Sequence, residues 1–214
     1  SQWVGMGSGL MVFRAFRDVA TRFDALYRRL SGWSPLDKLT SLSDDQLDQT
    51  MYAQPLTFMV QVGLVELLAY LGVRADVVVG HSAGEIAALY CCGLLSLEDA
   101  ATVVWHRSHC QQALAGNGRM LAVQLGCADA KAILMDHSLD VSSCEIACVN
   151  SPTSVVVAGP QPELERVRGY LSTKGVKSTL LKGTTAFHCS LMDPILPDVD
   201  ARLEFLNRRK AKGS

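Results

Sequence analysis

Between residues 10 and 30, apolar side chains recur at helical spacing: Val12, Phe13, Phe16, Val19, Ala20, Phe23, Leu26, Tyr27 and Leu30. Steps of three and four place them on one face, which predicts an amphipathic helix ending at Ser31-Gly32. Residues 31–50 are polar, contain Pro35 and an acidic run, and read as a connection with one short helix over 43–49. Pro55 suits the first turn of a helix, and residues 56–71 are apolar on most faces, which predicts a buried helix stopped by Gly72. Asp76-Val77-Val78-Val79-Gly80 is a short β-branched run, the pattern of a central strand. A helical pattern follows at once over 84–92, and Ser96 with Asp99 three residues later forms a capping box for a helix to residue 114.

From Met120 the rhythm changes. Residues 120–125 predict a strand, 128–139 a helix, 145–149 and 155–158 two strands joined by Asn150-Ser151-Pro152-Thr153, 162–173 a helix stopped by Gly175, and 176–181 a last strand. The order β-α-β-β-α-β is that of a ferredoxin-like unit. It occupies residues 119–183 and reads as an insertion into a larger α/β subdomain built from 1–118 and 184–206, with 207–214 a frayed basic tail.

Composition narrows the function classes. Lys plus Arg is 20 and Asp plus Glu is 21, so no charge excess recommends nucleic acid or an anionic membrane as partner. Apolar runs such as residues 75–80 fall short of the ~20 residues of a membrane helix, and Ser1-Gln2-Trp3-Val4-Gly5 has no signal-peptide character. The seven cysteines are scattered and form no C-x-x-C pair, which reads as reduced, packed thiols of a cytoplasmic protein and as no metal site.

The strongest chemical signal is Gly80-His81-Ser82-Ala83-Gly84, a G-x-S-x-G between the β-branched run and a helical pattern. A strand–elbow–helix needs small residues where strand and helix pass closely, and it exposes the serine hydroxyl at a helix N-terminus that favours negative charge. Ser82 is the candidate nucleophile, and the Ala83 N–H points toward a developing oxyanion. A serine needs a base. His81 is adjacent and points elsewhere, while His106, His109 and His137 fall on helical patterns as packing or surface residues. His188 follows the last strand of the inserted unit, where the chain returns to the larger subdomain and clefts form.

These motifs, taken in order, resemble the acyltransferase domain of polyketide synthases and the related malonyl-CoA:acyl-carrier-protein transacylases. The resemblance rests on Gln54-Pro55, Val79-Gly80-His81-Ser82-Ala83-Gly84-Glu85, Arg107, Gly118-Arg119-Met120, Val149-Asn150-Ser151-Pro152, and Ala186-Phe187-His188 with Leu191-Met192-Asp193-Pro194. It implies an α/β-hydrolase-like core with the ferredoxin-like subdomain inserted, and a Ser82–His188 dyad without a triad carboxylate. Arg107 would hold the free carboxylate of an extender unit, most simply malonyl. Gln54, His81, Met120, Asn150, Thr185 and Phe187 would line the substrate site, with the Phe187 ring leaving little room for an α-branch. No cofactor or metal is implied. Malonyl-CoA would be the donor, and the phosphopantetheine thiol of an acyl carrier protein the acceptor, beside synthase domains such as a ketosynthase.

The chain departs from the family pattern in three places. Ser1-Gln2 matches the end of a Gly-Gln-Gly-Ser-Gln opening whose first glutamine lies at the family's oxyanion hole. The family domain also continues past residue 197, and Asn207–Ser214 does not match that continuation, so the chain reads as truncated at both ends. Thr185 stands where the malonyl signature usually begins with histidine. Two rivals remain. A serine hydrolase or thioesterase would want an acid between Ser82 and His188; Asp129, Asp136 and Asp140 are present but fall in or beside the first helix of the inserted unit, a poor place to reach His188, while a non-catalytic scaffold is favoured by the missing oxyanion glutamine.

Overall fold

A computed structural model describes residues 2–210. Along the chain, a 3-10 turn at Ser8–Val12 precedes α1 (Arg14–Ser31), α2 (Pro35–Ser41), α3 (Asp44–Leu47), α4 (Thr50–Tyr70), α5 (Gly84–Cys91) and α6 (Leu97–Gln112). Then come β1 (Arg119–Val123), α7 (Cys127–Leu134), β2 (Glu145–Ser151), β3 (Ser154–Gly159), α8 (Gln161–Thr173), β4 (Ser178–Leu180), a 3-10 turn at Ser190–Ile195, and α9 (Leu196–Lys210). Two compact units result: one runs to Gln112 and resumes at Asp198, the other is Ala113–Pro197. The segment 184–197, expected with the larger subdomain, groups with the sheet because Ala186 and Cys189 bury themselves against Ala158.

In the first unit, the face of α1 read from the sequence supplies Phe16, Phe23 and Tyr27 to a core shared with Phe58, Met59 and Val62 of α4 and Val104 of α6. Gly63 lets α4 approach α1, since a Cβ there would lie 2.4 Å from the Phe16 ring. The helix starts at Arg14 rather than residue 10, because Phe13 is extended and Leu10 closes a turn on Gly7. The polar connection holds a helix the pattern missed: Ser34 caps α2 by accepting the Asp37 N–H at 3.1 Å, with Pro35 in its first turn. A capping box between Ser43 and Gln46 starts α3 as expected.

Helix α4 begins at Thr50, so Pro55 lies within it. Contrary to the reading of short apolar runs, this 21-residue helix is long and apolar enough to cross a membrane by length and composition. Its Leu56, Phe58, Met59 and Val62 are instead packed in the helical core. Ser96 caps α6 through the Asp99 N–H at 3.1 Å and donates to the Asp99 carboxylate at 2.8 Å; the helix ends at Gln112, short of residue 114.

The expected central strand at 76–80 is not formed. The one sheet among the described residues belongs to the other unit, and Val77 and Val79 are 86% and 94% exposed. β-branched residues favour extended backbone, but a strand is completed by hydrogen bonds from a neighbour, and no strand of this unit lies beside it. Residues 207–210 of the expected frayed tail continue α9, while 211–214 lie outside the described residues.

The second unit realises the β-α-β-β-α-β order. Its sheet runs β2-β3-β1-β4 with every neighbouring pair antiparallel, which is the ferredoxin-like arrangement. One sheet face, with Leu121, Val123, Val155 and Val157, is covered by Ala130 of α7 and Leu164, Val167 and Leu171 of α8. A second cluster joins Met120 and Ala158 to Ala186, Cys189 and Leu191. The α7 pattern breaks after Leu134 and resumes as a 3-10 turn at His137–Leu139, capped when Asp136 accepts the Ser138 N–H. Strand β2 runs through Asn150 to Ser151, with Ala147 and Asn150 skipped in its register with β3.

Candidate active site

Ser82 sits at φ 52, one of three non-glycine residues at positive φ among those described. A side chain adopts that backbone at a cost, when its surroundings dictate it. Here they do: a Cβ at Gly80 would lie 2.3 Å from the Glu85 Cα and 2.4 Å from its nitrogen, so the incoming chain lies directly on the first turn of α5. The Gly84 N–H donates to the His81 carbonyl at 3.0 Å and the Glu85 N–H to the Ser82 carbonyl at 3.1 Å, closing the elbow. Ala83 is the N-cap of α5 and supplies no side-chain cap. His81 is exposed.

The hydroxyl of Ser82 meets a cation. Arg107, from α6, donates from Nη2 to Ser82 Oγ at 3.4 Å and from Nη1 to Gln54 Oε1. Gln54 in turn donates from Nε2 to Gln111 Oε1 at 2.6 Å. Gln111, which sequence reasoning did not single out, thereby fixes which end of the Gln54 amide faces the guanidinium; its place one turn after Arg107 is the signal that could have found it. Burial pushes the Arg107 guanidinium below its ordinary range, offset in part by Glu85. Such a desolvated, planar cation is suited to a carboxylate taken in bidentate fashion.

The other expected residues gather in the sheet unit. His188 is exposed at φ 59, between half-buried Phe187 and buried Cys189. Thr185 and Ala186 are buried, and half-buried Met120 packs in the cluster that holds Ala186 and Cys189. Asn150 is exposed near the end of β2. Two residues that sequence reading missed hold this loop. Asn117 bonds the backbone at Ala186 and Leu191, and Glu145 accepts from Ser190 N–H at 2.9 Å and Ser190 Oγ at 2.5 Å. Those bonds from Ser190 hold the Glu145 carboxyl below its usual range.

Two other histidines lie on α6. His106 is half-buried on α6, where burial and then Arg202 push its pKa down, and His109 stacks on Trp105 with ring centroids 4.8 Å apart. Of the acids a hydrolase triad would draw on, Asp136 accepts from Ser138 and Asp140 pairs with Arg166 at 3.4 Å. All seven cysteines are free thiols; burial, followed by Glu163, pushes the Cys144 thiol up to about 12, away from nucleophilic character. Among the described residues no group of three His, Cys, Asp or Glu side chains is placed to hold a metal ion.

Residues 1–213 match the family described as Acyl transferase domain. The chain belongs to that family. Curated relatives include probable polyketide synthase 44 of Dictyostelium discoideum, 33% identical over 199 residues (92% of this chain and 6% of the relative). Probable polyketide synthase 32 of the same organism is 36% identical over 187 residues, 86% of this chain and 6% of that protein. The domain thus spans a small part of the relatives it matches. The acyltransferase domain from module 8 of the salinomycin polyketide synthase superposes with a TM-score of 0.88 at 30% identity, over 94% of this chain and 48% of the other. A loading acyltransferase of the avermectin synthase gives 0.86 at 32% identity, over 94% and 64% of the two chains. A malonyl-CoA:ACP transacylase of Synechocystis gives 0.81 at 28%, over 96% and 66%. The α/β class and the polyketide-synthase kinship expected from the motifs are therefore those of this domain.

Proposed function

We propose that this domain loads a malonyl extender unit from coenzyme A onto the phosphopantetheine thiol of an acyl carrier protein within a polyketide synthase. In the first half-reaction, Ser82 Oγ attacks the thioester carbonyl as its proton passes to His188. The C–S bond breaks, and coenzyme A leaves as a thiol with that proton. In the second, the carrier thiol gives its proton to His188 and attacks the acyl-serine ester, and Ser82 recovers a proton as its C–O bond breaks. The Ala83 N–H meets the oxyanion at each stage. Arg107 holds the free carboxylate of the extender, with Gln54 orienting the guanidinium, and Phe187 limits room at the α-carbon. His81, Met120, Asn150 and Thr185 complete the substrate site, and neighbouring synthase domains such as a ketosynthase consume the product. Seven unpaired thiols suit a reducing compartment such as the cytoplasm.

The observation that carries this reading is the Arg107 Nη2–Ser82 Oγ contact of 3.4 Å, on a serine held in a left-handed elbow. A half-buried guanidinium beside the nucleophile suits a donor that carries a free carboxylate better than a neutral ester. A bidentate charge-assisted pair contributes roughly 1.5–3 kcal/mol. Arg107→Ala should therefore slow malonyl transfer about 10- to 150-fold, at ~1.4 kcal/mol per decade, while acetyl transfer holds or rises. Donor comparison with malonyl- and acetyl-CoA checks this. Equal losses on both donors would assign Arg107 to structure.

A further inference from the structure

One side-chain amide reaches both sides of His188. Asn117 Oδ1 accepts the Ala186 N–H at 3.1 Å, and Asn117 Nδ2 donates to the Leu191 carbonyl at 3.1 Å. The turn that presents Asn117 is itself fixed: its N–H donates to the Leu114 carbonyl at 3.1 Å, and the Gly116 N–H donates to the Thr184 carbonyl at 2.6 Å, with Gly116 at φ 94. Backbone and side chain of residues 116 and 117 thus hold the 184–191 loop at three points. Ser190, in the same loop, is held by Glu145 from β2.

The loop needs such holding. His188 lies at φ 59, a backbone that a residue with a side chain keeps only where its surroundings over-determine it. Among side chains of this size, asparagine alone offers a carbonyl acceptor and an N–H donor together; aspartate keeps the acceptors and loses the donor. The same loop supplies Ala186, Cys189 and Leu191 to the unit's second hydrophobic cluster, with Ala158 and Met120, while the principal cluster around Leu121, Val157 and Leu164 draws on no residue of 113–118 or 184–191.

We propose that Asn117 is a positioning residue for the candidate base. It fixes the loop on either side of His188, so that the imidazole is oriented before an acyl donor arrives. The inference rests on the acyl-transfer reading above and adds to it the group that sets the base's geometry.

The test uses the chain with Asn117→Ala and Asn117→Asp, in the His188 background and in His188→Ala. Hydrogen exchange read by mass spectrometry should show peptides of the 184–191 loop exchanging roughly tenfold faster or more in Asn117→Ala, with the Leu121 and Leu164 peptides unchanged. Acylation of Ser82 by malonyl-CoA should fall about 10- to 100-fold, the scale of a misaligned catalytic group, while the KM for malonyl-CoA moves less than about twofold. Asn117→Asp, which keeps the acceptor for Ala186, should fall between. With His188→Ala already present, Asn117→Ala should cost nothing further, since coupled residues do not add. Unchanged loop exchange, or an equal loss of rate with and without His188, would overturn the proposal while leaving acyl transfer standing. A parent chain that takes up no malonyl group would overturn the acyl-transfer reading first, and the positioning role with it.

Discussion

Ser82 and His188 share a left-handed backbone, at φ 52 and φ 59, yet the two units hold them by different physics. The serine is held by shape. Gly80 has no side chain, the incoming chain lies on Glu85, and the turn closes into α5. The histidine is held by polar clamps, since Asn117 and Glu145 bond the loop before and after it. The units differ in the same sense as wholes. The sheet unit completes its strands and buries a core of its own, whereas the helical unit leaves Val77 and Val79 of its β-branched run exposed and, among the described residues, without a neighbouring strand. A strained residue can thus be set either by excluding a Cβ nearby or by satisfying the backbone around it, and the two devices fail under different substitutions.

Core deletion should show the largest effect and stay local. Leu164 is fully buried between α8 and the sheet, so Leu164→Ala should cost about 2–5 kcal/mol. In urea, hydrogen-exchange peptides of the sheet unit should lose protection well before those of α1 and α4. Simultaneous loss in both units would merge what the comparison separates. A smaller effect is expected at the elbow. Gly80→Ala drives a Cβ to 2.3 Å from backbone, and overpacking of this kind costs about 1–3 kcal/mol. It should speed exchange at the start of α5 and leave the 184–191 loop untouched. The smallest effect belongs to the unpaired run: Val79 is 94% exposed, so Val79→Ala should stay within about 0.5 kcal/mol by the same urea measurement. A cost near that of Leu164→Ala would mean residue 79 is packed after all.

Much of this was legible in the chain because it depended on local pattern. The α1 face, the Ser96–Asp99 cap and the whole βαββαβ order follow from spacing and turn residues that neighbours reinforce. The elbow was legible too, since small residues around Ser82 are what its backbone demands. What failed depended on partners the pattern does not contain. Val77-Val78-Val79 carries strand propensity, but a strand requires a neighbour. Asn117 in Gly116-Asn117-Gly118 reads as ordinary turn chemistry, and its bonds to residues 186 and 191 span 69 and 74 positions that no local motif encodes. Helix α2 is hard to read for another reason: its Ser34 cap and Pro35 first turn stand in a stretch, 31–50, whose polar character reads as a connection.

The central claim is that Ser82 carries the acyl group. Incubation of the chain with malonyl-CoA, followed by intact-mass and peptide mass spectrometry, tests it most directly. The account predicts a single malonyl ester, mapped to the peptide that contains Ser82 and absent from Ser82→Ala. Undiminished uptake by Ser82→Ala, or an ester mapped to another residue, would contradict it.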